Sequence, residues 1–153
     1  MDTCDRLLAI EEIKKLKARY FRCVDTKDAE GYGNVFTPDG VLDLQIAYQA
    51  PNRSPSAGSP DNFSLVLKGR AQIAELSRTR GGSRISVHHG HMPEIDIESE
   101  TRATGIWSME DIIWYPSGKR RKGYGHYHEI YEHLETGWHI KYCKLTRLYL
   151  DPE

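Results

Sequence analysis

Tyr20, Asp25, His88 and Asp111 are the residues of this chain whose types and surroundings point to chemistry. A phenol, an imidazole and two carboxylates are the parts needed to move protons on a small organic molecule. Tyr20 and Asp25 stand five apart at the end of a helical pattern, and His88 opens a strand-like run. Asp111 falls in the next strand, where period two groups it with Trp107, Met109 and Ile113. A carboxylate on an apolar face must be paired, hydrogen-bonded or kept protonated, because a bare buried charge is costly. Desolvation alone would raise its pKa toward the range useful for proton transfer. If the face of Glu110 is the core instead, that signal vanishes, and the local pattern leaves both readings open.

The histidines need the same weighing. Pro93 closes the run Val87-His88-His89-Gly90-His91-Met92-Pro93, and a proline cannot donate a ladder hydrogen bond, so the strand is expected to bulge there. A bulge shifts the alternation by one residue, which lets Ile95 and Ile97 share a face with His88. The residues alone leave the choice among His88, His89 and His91 open. Asp25 is unusual at a helix C-terminus, where the macrodipole disfavours an anion. A protonated histidine or a tyrosine hydroxyl would rationalise it.

Other chemistries find less support. His89-x-His91 and His126-x-His128 each put two imidazoles on one strand face, but without a third ligand at a familiar spacing, so no metal is expected. There is no GxGxxG or P-loop pattern, and Gly123-Tyr124-Gly125 reads as a strand start, so no nucleotide cofactor is expected. A Ser-His-Asp triad lacks its nucleophile elbow. The expectation is chemistry without a cofactor.

The elements that must position these groups come in two blocks. From about Asp5 to Val24, Ile10, Ile13, Leu16, Tyr20, Phe21 and Val24 form an apolar stripe, interrupted by Lys17. A short second helix is expected from Asp28 to about Val35, then a turn at Thr37-Pro38-Asp39-Gly40 and a strand over 41–46. Residues 48–64 are rich in Pro, Ser, Asn and Gly and read as a loop, either a lid or a tolerated disordered insertion, and the fold that the resemblance below implies puts it near a pocket mouth. A third helix follows over about 70–79, closed by Gly81-Gly82. The period then changes to four strands, over 85–97, 103–115, 124–134 and 138–150. Helices followed by an antiparallel meander predict an α+β fold, with helices on one face of a curved sheet and a concave pocket between them.

Composition narrows the partners. The 153 residues suit a single domain, 1–153, burying roughly 70% of its unfolded surface. A formal net charge of −1 gives no nucleic-acid footprint, and Lys119-Arg120-Arg121-Lys122 beside Pro116 and Gly118 reads as a solvated hairpin turn. No apolar stretch approaches the ~20 residues of a membrane span, and the first residues lack a signal-peptide pattern. Three cysteines without a CxxC pair suggest free thiols and a cytoplasmic setting, which makes the Asn52 and Asn62 glycosylation triplets chance matches. Trp114, Tyr115, Tyr131, Tyr142 and Tyr149 suggest more apolar sheet surface than three helices can cover, and hence a homo-oligomer.

Several phrases, in order, resemble the SnoaL-like and scytalone-dehydratase-like branch of the nuclear-transport-factor-2-like superfamily. They are Ala9 to Tyr20 with Asp25 and Asp28, Phe36 to Gly40, Lys68 to Ile73, His88 with Pro93-Glu94-Ile95, Gly123 to Glu129, and Gly137 to Ile140. The resemblance spans nearly the whole chain and implies a cone-shaped α+β barrel with a deep pocket, in oligomers, with a trimer slightly ahead of a dimer. It implies a dehydratase or isomerase, with a non-catalytic binding or accessory protein as the alternative. Tyr20, Asp25 and His88 match the helix Tyr and Asp and the strand His of the dehydratases, and Asp111 an acidic position in bile-acid dehydratases. His88 is then the base, Asp25 its support, Tyr20 the donor to an enolate, and Asp111, if protonated, an aid to the leaving hydroxyl. Met92, Trp107, Met109, Tyr127, His128 and Arg147 are the implied substrate contacts, with Met92 standing where many relatives carry Asn.

Overall fold

The computed structural model describes residues 1–52, 65–81 and 83–151. Helix α1, Thr3–Thr26, starts at Asp2, whose side chain accepts from the Asp5 N–H while Asp5 accepts in return from the Asp2 N–H. This reciprocal cap satisfies two of the donors every helix start leaves free. Ala9, Ile13, Leu16, Tyr20 and Cys23 form its buried stripe, and the helix stops at Lys27, which turns into the left-handed region at φ 62. Helix α2, Ala29–Asn34, begins on an Asp28 cap, and α3 runs Arg70–Gly81.

The six strands are β1, Phe36–Asp43; β2, Val66–Lys68; β3, Ile85–Ile97; β4, Arg102–Trp114; β5, Arg120–Leu134; and β6, Gly137–Leu150. They make one curved, unclosed sheet in the order β2-β1-β6-β5-β4-β3, antiparallel throughout except for the parallel β1–β6 pair. The α+β arrangement expected from the sequence is present, with α1 packed against the concave face. The sheet carries two further strands beside the meander.

Two local expectations fail. Thr37-Pro38-Asp39-Gly40 is not a chain reversal but part of β1, whose pairing with β6 slips between Phe36 and Val41. The turn residues produce an irregularity in a strand, with Pro38 and Asp39 on its exposed side. The basic run is not wholly in the hairpin turn either. The turn closes through Tyr115 and Lys119, β5 starts at Arg120, and Arg121 points inward and is 3% exposed. Alternation decides this, since Arg120 and Lys122 take the outer face.

The bulge expected before Pro93 is present: β3 slips against β4 between Gly90 and Pro93. Inward positions alternate along β4 from Ala103 to Ile113, and along β5 from Arg121 to Tyr131. Tyr131 therefore lies in the core, fully buried, and contributes nothing to an outer apolar face.

Lys17, the intruder in the α1 stripe, is also fully buried. Its Nζ meets Glu129 Oε1 at 2.5 Å and lies over the rings of Tyr20 and Tyr127, at 3.9 and 3.6 Å from their centroids. Tyr131 donates to the other Glu129 oxygen, and Trp107 Nε1 donates to Tyr131 at 2.8 Å. A buried ion pair becomes tolerable when its remaining lone pairs are satisfied in this way. The cysteines are free thiols: Cys4 exposed, Cys23 and Cys143 buried. Among the described residues no helix is long and apolar enough to cross a membrane. The lid expected over 48–64 falls mainly outside the described residues. Asn52, at its described end, exchanges hydrogen bonds with the Leu150 backbone.

Candidate active site

Helix α1 reaches β3 because Gly90 has no side chain. A Cβ there would stand 2.5 Å from the Phe21 ring. Phe21 and Asp25 lie one helical turn apart on the same face, so this close approach sets Asp25 beside the start of β3. There the Asp25 carboxylate accepts three hydrogen bonds: from His88 Nδ1 at 2.6 Å, from the His88 backbone N–H at 2.8 Å and from Ser86 Oγ at 2.8 Å. An anion at a helix C-terminus is compensated by those donors. With Nδ1–H donated to Asp25, the neutral His88 ring carries its lone pair on Nε2.

His88 is paired with Asp111 across β3 and β4, and its Nε2 lies 3.9 Å from Asp111 Oδ2. Asp111 faces inward, as its apolar strand neighbours suggested, but it is not a lone acid. Arg147 grips it twice, with Nη1–Oδ1 at 3.1 Å and Nη2–Oδ2 at 2.6 Å. Burial pushes the Asp111 carboxyl up, but the Arg147 charge and hydrogen bonds outweigh it, aided by His88 and Arg121, and hold it below the usual range. The pair with Arg147 thus favours the carboxylate form of Asp111 over the protonated form that a role at the leaving hydroxyl would require. Gly123 makes room for the pair, since a Cβ there would meet Arg147 Nη1 at 2.5 Å and Asp111 Oδ1 at 2.7 Å. This accounts for a glycine that the sequence suggested only as a strand start.

These groups border a cavity of about 130 Å³. Tyr20, Tyr32, His88, Asp111, Tyr127 and Arg147 line its polar side, and Val24, Leu44, Ile113 and Leu145 its apolar side. Tyr32 donates to the Tyr20 hydroxyl at 3.2 Å. Burial pushes the Tyr20 and Tyr127 phenols well up, and neighbouring Tyr127 and Tyr32 add to the shift at Tyr20, as Asp111 does at Tyr127. Both remain protonated hydrogen-bond donors.

The structure brings Tyr20, Asp25, His88 and Asp111 together, with Asp25 behind His88 rather than on the cavity wall. Of the six residues given as substrate contacts, Tyr127 and Arg147 line the cavity. Trp107 and Met109 lie on the inner face without reaching its wall; Trp107 bonds Tyr131, and Met109 Sδ accepts from Arg147. Met92 is corrected outright: the bulge of β3 carries it outward, where it is 91% exposed. His128 also faces outward, its Nε2 3.1 Å from Thr146 Oγ1. His89 and His91 flank Glu110 on the outer face. Several wall residues were missed, among them Tyr32, Ser86 and Arg121. Ser86 is two residues from His88, so strand alternation alone could have placed it.

The SnoaL-like domain profile matches residues 5–144, most of the chain. The chain belongs to the SnoaL-like domain family. Solved structures share its fold over nearly the whole length. A candidate scytalone dehydratase from Novosphingobium aromaticivorans is 19% identical, with a TM-score of 0.81 over 99% of this chain and 92% of that one. The hexachlorocyclohexane dehydrochlorinase LinA-type3 from Novosphingobium barchaimii is 15% identical, with a TM-score of 0.77 over 99% and 94%. The β subunit of a candidate aromatic-ring-hydroxylating dioxygenase from N. aromaticivorans is 14% identical, with a TM-score of 0.73 over 97% and 94%. At these identities the likeness is one of fold, so the chemistry of this SnoaL-like domain rests on its own residues.

Proposed function

We propose that the protein is a cofactor-independent lyase or isomerase that removes a proton next to a carbonyl, and that its reaction is dehydration of a small hydroxy-carbonyl compound. The observation that carries this reading is the His88–Asp25 pair, with Nδ1 held at 2.6 Å on a carboxylate that three donors fix in place. A base must present one fixed nitrogen to the substrate, and this arrangement leaves Nε2 for that task. The eliminating activities named for two of the fold relatives agree with it.

In the proposed step His88 Nε2 takes the proton from the carbon beside the carbonyl. The electron pair moves into the carbonyl oxygen, where the Tyr20 phenol donates to the developing enolate. Asp25 and the Asp111 carboxylate on either side of the ring stabilise the imidazolium. The enolate then expels the hydroxyl from the neighbouring carbon, and the proton on Nε2 leaves with it as water. His88 returns neutral and the product is an unsaturated carbonyl compound. Asp111 acts as a fixed charge in this scheme, because its pair with Arg147 gives it no proton to donate.

A positioned general base contributes roughly 10²–10⁴ in rate. His88→Ala should lose at least that much turnover on a true substrate while keeping its thermal melt, and Asp25→Asn should lose a large share of it by freeing the wrong tautomer. Undiminished turnover in His88→Ala would sink the assignment.

A further inference from the structure

Arg121 is an inward-facing cation of β5 for which the proposed reaction has no use. It lines the cavity and is 3% exposed, and its Nε has no hydrogen-bond partner among the described residues. Arg147, on the same wall, differs. Its Nε donates to the Ala47 carbonyl, Nη1 to Asp111 and Met109, and Nη2 to Asp111. That guanidinium is committed to the protein. The Arg121 guanidinium instead lies against the Tyr48 ring at 4.7 Å from its centroid and shares a side-chain hydrogen bond with Tyr48, which orients it and leaves Nε without a partner. Buried donors in native proteins nearly always find a partner, and a guanidinium offers a planar fork suited to a carboxylate.

The surrounding charge points the same way. Among the described wall residues Lys27, Arg84, Arg121 and Arg147 are cationic, against Asp111 as the acid. Arg147 and Asp111 neutralise each other, and Lys27 and Arg84 have interactions of their own, so Arg121 carries the positive charge of this wall that Asp111 does not match. A low-dielectric cleft lined by one sign of charge concentrates ligands of the other. The sheet register gives the spacing. Arg121 pairs with Ile113, one inward step along β5 from Gly123, which pairs with Asp111; His88 pairs with Asp111 two strands away. Two strand spacings combined with that two-residue step separate the two backbones by about 12 Å, on the order of a six-membered ring with its substituents.

We propose that Arg121 is the anion-binding residue of this cavity and that the substrate is an organic acid, its carboxylate held by Arg121 while the reacting carbon faces His88. The proposal takes the substrate site from the reading above but is tested by binding, without turnover. The probes are 3-oxocyclohexanecarboxylate and its neutral carboxamide, titrated by calorimetry into wild-type protein, Arg121→Gln, Arg121→Lys and His88→Ala. A hydrogen-bonded charge pair in a buried site is worth roughly a tenfold or greater preference. Wild type should favour the carboxylate by at least that factor, Arg121→Lys should keep part of the preference, and Arg121→Gln should lose it. His88→Ala should keep it in full, so a failed base assignment leaves this result standing. Equal affinity for both probes in wild type, no measurable carboxylate binding at millimolar concentration, or an undiminished preference in Arg121→Gln each overturns the proposal. Should Arg121→Gln not fold, the wild-type carboxylate-to-carboxamide ratio decides alone.

Discussion

At Asp111 two carboxylate oxygens face two guanidinium nitrogens inside the sheet, and removing either partner leaves a buried charge alone. Breaking such a pair costs about 3–5 kcal/mol. Asp111→Ala should show that loss in urea unfolding, and a change below 1 kcal/mol would mean that the pair is far better hydrated than its burial suggests. The pH dependence has a definite sign. A carboxyl held below its ordinary value contributes stability that is present above that value, near 3.9, and is lost as pH falls through the folded one. The acid limb of the wild-type melting curve should therefore steepen below about pH 4, and Asp111→Asn should lose that component. Gly123→Ala tests the same pair from the neighbouring strand, because its methyl would displace Arg147 or Asp111. It should lower the melting temperature and weaken any ligand that touches His88.

The contact between α1 and β3 decides whether Asp25 reaches His88 at all. Gly90→Ala puts a methyl against the Phe21 ring, which is hemmed in by Tyr20 and Tyr127. Overpacking of this kind costs about 1–3 kcal/mol. Because the helix must move off the strand, activity should fall further than stability, and Gly90→Ala with Phe21→Leu should recover part of both. Equal activity in Gly90→Ala and wild type would separate the dyad from this contact. The long elements were legible because their periods are long: α1, the four meander strands and the slip before Pro93 all follow from spacing and from proline's missing N–H. The inward face of β4 was legible in Trp107, Met109 and Ile113. What local pattern could not supply was partners distant in the chain. Lys17 looked like a flaw in a stripe because Glu129 lies 112 residues away. Asp111 looked like a raised-pKa acid because Arg147 is 36 residues further on. Arg121 was hidden in a basic run that strand alternation splits between the two faces.

For the molecule as a whole, the outer face of the sheet keeps Ile106, Trp114, Leu148 and Tyr149 exposed. Apolar groups on one open face favour self-association. We expect a homo-oligomer, a trimer ahead of a dimer, in light scattering at micromolar concentration; a monomer there would refute it. The three thiols offer a separate reading of the whole molecule. A thiol reacts as its thiolate and only when reached by reagent. Burial, with Glu129 adding to it, pushes the Cys143 thiol well up, and burial beside Asp28 raises Cys23, while Cys4 stands in solvent. An alkylating reagent should therefore add one mass increment quickly, on Cys4. The next should mark opening where α1 meets α2, and the last opening of the whole inner sheet, since local and global openings carry different free energies. Three cysteines with three burials thus make an undecorated chain its own stopwatch for unfolding, with no dye, tag or mutation. A ligand seated against Tyr20 and Tyr127 should slow the last tick and leave the first untouched.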